Sequence, residues 1–126
     1  MTTRNLTLDT HNAIVLATAP LLMVGPYLLT FSAGIGLFSF FLGAVMIGVA
    51  LSDAASAGTI MDAGRDRLPV AAHASLDRAL GATIVGVGIA AGVAGDQLVA
   101  SIFLVGFGAA HLAHTVMTRY SARGAV

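Results

Sequence analysis

Between Asp9 and Asp53 the chain runs for 43 residues without a charged side chain. A single helix of that length would be about 65 Å long, roughly twice the hydrocarbon core of a bilayer. The stretch must therefore turn once. The turn signal is Ser32-Ala33-Gly34-Ile35-Gly36. This predicts a first helix over Asn12–Phe31 and a second over Ile35–Ser52. Residues 79–118 repeat the pattern, interrupted only by Asp96. There the expected turn is Gly95-Asp96-Gln97, between a third helix ending near Ala94 and a fourth over Leu98–Thr118. Pro69 is expected in the first turn of the third helix.

The expected fold is a single all-α integral membrane domain over residues 1–126, a four-helix transmembrane bundle of two tandem hairpins. Hairpin 1 spans about 12–52 and hairpin 2 about 69–118, joined by a polar connector over about 53–68. Composition agrees. Charged residues are 10% of the chain and apolar residues 57%, where a soluble domain carries about 25% charge. Mean hydropathy is +0.91. A disordered chain and a nucleic-acid binder with a basic face are excluded. With no Cys, disulfide scaffolds and thiolate metal sites are excluded too.

The charge is six Arg and six Asp, with net charge zero. Every Arg falls on one side of the layout. Arg4 precedes the first helix, Arg65, Arg67 and Arg78 flank the connector, and Arg119 and Arg123 follow the fourth helix. The positive-inside rule then places both termini and the connector in the cytoplasm of a multi-pass cell (plasma) membrane protein. Ala17-Thr18-Ala19 has the form of a signal-peptide cleavage site, but apolar sequence continues beyond it and no processing is expected there.

An offset of 62 residues lays His11 on His73, Ala17 on Ala79, Ser39 on Ser101, Phe41 on Phe103 and Leu42 on Leu104. Five matches are close to what so biased a composition gives by chance. The duplication rests on hydropathy and turn placement, and it implies parallel repeats about an axis normal to the membrane. The segment Ala19-Pro20-Leu21-Leu22-Met23-Val24-Gly25-Pro26-Tyr27-Leu28-Leu29-Thr30-Phe31-Ser32, followed by a second apolar helix, resembles the SPW-repeat family of small prokaryotic membrane proteins. Gly25-Pro26-Tyr27 takes the place of that family's Ser-Pro-Trp. In the second hairpin the matching Val87-Gly88-Ile89 has no Pro. The resemblance implies a paired-hairpin architecture and no chemistry.

Helices in lipid associate by close packing of small residues. The third helix offers Ala82, Gly86, Ala90 and Ala94 in one row and the pair Gly88 and Gly92 in another. Ala44 and Gly48, and Gly106 and Ala110, offer similar surfaces. Packing inside the bundle is the favoured reading, with a dimer face as the alternative. Pro20 and Pro26 are expected to kink the first helix. Phe31, Phe38, Phe40, Phe41 and Phe103 gather in the outer half, with Phe107 near the middle. They read as core and lipid-facing filler rather than as a site for a flat lipophilic molecule.

The candidate binding residues are the four histidines, His111, His114, His11 and His73. His111 and His114 share one face of the fourth helix, about 10 Å and about 6 Å inside its cytoplasmic end. His11 and His73 are expected at or before the cytoplasmic starts of their helices. Imidazole can ligate haem iron or another metal, or relay protons, and Asp53 or Asp77 could orient a ring. The bland alternative is a histidine satisfied by a hydroxyl or carbonyl, and His-x-x-His has no third ligand set by spacing. The Asp and Arg residues are all expected at helix ends or in loops. Asp62, Arg65 and Asp66, and Asp77 with Arg78, read as solvated, partly paired surface.

The leading functional expectation is a non-enzymatic accessory subunit or scaffold, acting in the bilayer by association with other membrane subunits or with itself. No cofactor and no metal is expected in that case. The alternative is a haem- or quinone-associated anchor of a respiratory complex using His111. A small transporter or channel comes third, disfavoured by the lack of a midplane charge.

Overall fold

The computed structural model describes residues 5–54 and 69–120. The connector residues Asp62, Arg65, Asp66 and Arg67, together with Arg4 and Arg123, lie outside them. Four helices follow in order: α1 over Leu8–Leu28, α2 over Ala33–Ala54, α3 over Val70–Val93 and α4 over Leu98–Met117. Each is long and apolar enough to cross a membrane. The fold is the expected all-α four-helix bundle, in which α1 packs on α2 and α3 on α4 as two hairpins.

The boundaries shift where local chemistry decides them. α1 begins four residues before the expected Asn12, because Thr7 caps it. Its hydroxyl accepts the backbone N–H of Thr10 at 3.2 Å, and Asp9 lies in the positive first turn. α1 runs unbroken through Pro20 and Pro26 and stops at Leu28. The chain then reverses through Thr30 in a left-handed conformation, φ 56°. The second reversal uses Asp96, φ 50°, a residue type that tolerates this region. Pro69 is the N-cap of α3 and not a residue of its first turn.

Buried positions recur every three or four residues: Val15, Ala19 and Leu22 on α1, Leu80 and Ile84 on α3, Ala100 and Leu104 on α4. With Leu42, Met46 and Val49 of α2 they make an apolar core. The rest of each helix faces outward, as lipid allows. Phe38, Phe40 and Phe41 are exposed, whereas Phe103 packs against Phe31 and Phe107 with ring centroids 5.7 and 6.3 Å apart.

The close helix contacts use a different set of glycines from the most regular row. A Cβ on Gly88 would lie 2.8 Å from the backbone nitrogen of Val105, and one on Gly108 would lie 2.9 Å from that of Val85. Gly81 and Gly92 also abut α4. The row Ala82, Gly86, Ala90 and Ala94 is exposed instead, and a Cβ on Gly86, Gly48 or Gly106 would meet nothing within 4 Å. Packing inside the bundle therefore runs along Gly81, Gly88 and Gly92.

At one end of the bundle Leu6–Thr7 (β1) pairs in parallel with Thr118–Arg119 (β2). This two-residue ladder ties the start of α1 to the end of α4. The helix ends carrying all four histidines meet beneath it.

Candidate functional site: a buried imidazole and carboxylate centre

His11 and His73 are each the fourth residue of their helices, α1 and α3. They lie inside the first turn, not before it, because both helices start early enough to include them. Each is almost fully buried. One turn after His73, on the same face of α3, stands Asp77. Its carboxylate is 2% exposed and about 10 Å inside the start of the helix. This corrects two expectations. Asp77 is not a surface partner of Arg78, which points to the exposed side, and a buried carboxylate does lie within a span.

Three groups from different parts of the chain meet at one oxygen of Asp77. His11 Nε2 is 2.9 Å and His73 Nε2 3.1 Å from Oδ2. The Tyr120 hydroxyl donates to the same oxygen at 2.8 Å. Burial and then the Asp77 charge push the Tyr120 phenol above its ordinary value, so the hydroxyl keeps its proton.

The tautomer of His11 follows from its other neighbour. Thr118 gives its hydroxyl proton to the His114 carbonyl at 2.8 Å. Its oxygen, 3.0 Å from His11 Nδ1, is left to accept. His11 Nδ1 therefore carries a proton, and whenever the ring is neutral Nε2 is an acceptor. Nε2 lies 2.9 Å from a carboxylate oxygen of Asp77 and makes no in-line hydrogen bond to it. Two acceptors so close and so deeply buried repel unless a positive charge sits between them.

His111 and His114 belong to the same centre, in different roles. His111 Nε2 lies 4.0 Å from Asp77 Oδ1 and donates to the Asp77 backbone carbonyl at 3.1 Å. It holds the α3 backbone rather than pointing at the carboxylate. His114 stacks on His11 with ring centroids 4.4 Å apart and planes 16° apart. A groove between α1 and α4, lined by Ile14, Thr18, Leu21, Phe107, His111 and His114, reaches their edges from the lipid side.

All four predicted histidines are thus brought together with Asp77, one of the two carboxylates expected to orient a ring, and Thr118 and Tyr120 are added. Haem ligation by His11 does not fit this geometry. The His11 ring is packed against His114, against Tyr120 at 5.6 Å and against His73 at 6.1 Å. No slot for a macrocycle separates them, and the ring nitrogen of His111 is engaged by a carbonyl. Thr118 and Tyr120 gave no periodic signal, because they follow the last helix. No family model matches the chain, and neither a curated protein nor a solved structure is significantly similar to it.

Proposed function

We propose that this chain is a cation-binding protein of the cell membrane, with both termini and the buried centre on the cytoplasmic side. It acts as an accessory subunit rather than as an enzyme. The observation that carries this reading is His11 Nε2 set 2.9 Å from the Asp77 carboxylate, with the ring's other nitrogen already holding its proton for Thr118. A small cation relieves that contact, and a planar cofactor does not. The side is argued from the six Arg residues, five at helix ends or in flanking segments of that side and Arg78 in the half of α3 nearest it.

Binding is favoured over conduction because the polar groups are confined to one end. Beyond Val15 and Leu80 the shared core is Ala19, Leu22, Met46, Ile84 and Leu104, and Ser39 is the one buried polar side chain of α2 among the described residues. No chain of polar groups leads an ion across this apolar stretch.

The test is a thermal-unfolding screen of the purified protein in detergent, against monovalent and divalent cations and against haem and a quinone. At least one metal cation should raise the melting temperature, and that shift should vanish in Asp77→Asn. A Soret band on haem addition, or no response to any cation, would overturn the reading.

A further inference from the structure

We infer that the cation is a divalent transition-metal ion, held by His11 Nε2, His73 Nε2 and Asp77 Oδ2. This inference rests on the cation-binding reading above and names its ligand class. The three ligand atoms lie within 4.8 Å of one another and all three residues are buried. Tetrahedral ligands at 2.0–2.1 Å from zinc are spaced about 3.3 Å apart. His11 and His73 are 2.9 and 3.1 Å from the Asp77 oxygen, so each nitrogen need draw away from that oxygen by only a few tenths of an ångström.

A hydrogen bond wants donor, proton and acceptor in line, and His11 Nε2 makes no such in-line bond to the oxygen 2.9 Å away. An ion at the apex of a ligand triangle is met by nitrogen and oxygen from different directions.

The surrounding groups do what neighbours of metal ligands do. Thr118 takes the Nδ1 proton of His11 and so turns Nε2 inward. Tyr120 donates to Asp77, and His111 bonds the Asp77 carbonyl and steadies the backbone that carries it. His114 packs flat on His11 from the outer side. Three protein ligands leave a fourth position for water or an outside ligand.

Ligand chemistry selects the class of ion. Two imidazoles suit zinc, cobalt, nickel and iron(II). Calcium and magnesium want oxygen ligands throughout. Copper(I) wants sulfur, and the chain has no Cys.

The probe is cobalt(II), titrated into tag-free protein in detergent and followed by its visible absorption, with competition by zinc and by magnesium. One equivalent should bind, displaced by zinc and untouched by magnesium. His11→Gln and His73→Gln should abolish the absorption while retaining helical circular dichroism and a monodisperse elution profile. Thr118→Val should keep the one-equivalent endpoint with affinity about 10- to 100-fold weaker. Should one of the Gln variants fail to fold, Thr118→Val still decides, because an unchanged affinity contradicts the arrangement. Folded wild-type protein that binds neither cobalt nor zinc overturns the inference. If only a monovalent ion, calcium or magnesium then stabilises the protein, the broader cation reading survives and the transition-metal assignment fails. Cobalt binding that persists in both Gln variants also overturns the ligand assignment.

Discussion

Thr118 Oγ1 accepts a hydrogen bond from His11 Nδ1–H across 107 positions of sequence and donates its own to the His114 carbonyl. One hydroxyl thereby sets which nitrogen of His11 faces Asp77. Thr118→Val keeps the shape and removes the acceptor, leaving a buried ring N–H without its partner. The expected cost is about 1–3 kcal/mol. Reversible unfolding in mixed micelles measures it, and a loss below a few tenths would contradict the assigned tautomer.

Asp77 should be the costliest polar residue to replace. Asp77→Ala leaves His11, His73 and the Tyr120 hydroxyl facing an apolar gap. The Tyr120 hydroxyl then loses its acceptor in a buried site, which typically costs about 1–3 kcal/mol. Arg78→Ala, one residue on and exposed, should change stability by less than about 0.5 kcal/mol. Equal effects of the two substitutions would return Asp77 to the surface.

The two small-residue rows of α3 should separate cleanly. Gly88→Leu places a side chain where a Cβ already lies 2.8 Å from the Val105 backbone, and it should collapse the α3 and α4 hairpin. Gly86→Leu enters open space and should leave the monomer intact. Melting temperatures of the two variants in detergent provide the comparison. Similar losses would mean that α3 is rotated from the orientation described.

Topology can be read with impermeant thiol labels, since the natural chain has no Cys. A Cys introduced at Asp96 should label from outside intact cells. One introduced at Asp62 should label only after permeabilisation. Outside labelling at Asp62 would reverse the proposed orientation.

The architecture was legible because long charge-free segments have few solutions: lipid admits helices, and 43 residues are too long for one. The rest depends on phase. Two small-residue rows of equal quality lie on opposite sides of α3, and spacing cannot say which one meets α4. The histidines could be gathered at one end by counting turns, and the match of His11 to His73 at an offset of 62 has a spatial counterpart in their equivalent helix positions. Asp77 reads from the sequence both as an orienter of a ring and, beside Arg78, as half of a surface ion pair, and spacing alone does not choose between them. Adjacent helix residues point about 100° apart, so one faces the core while the other does not. Thr118 and Tyr120 reach the centre through backbone pairing of β1 with β2, which no local pattern announces.

That pairing also orders events during synthesis. His11 emerges from the ribosome first, His73 and Asp77 midway, and Thr118 and Tyr120 last. Until α4 has entered the bilayer, β1 has no strand to pair with and the His11 ring has no hydroxyl to orient it. The first hairpin can insert early, but the centre closes only when the final turn of the last helix arrives. A chain truncated before Thr118 would retain four crossings and still lack the finished site.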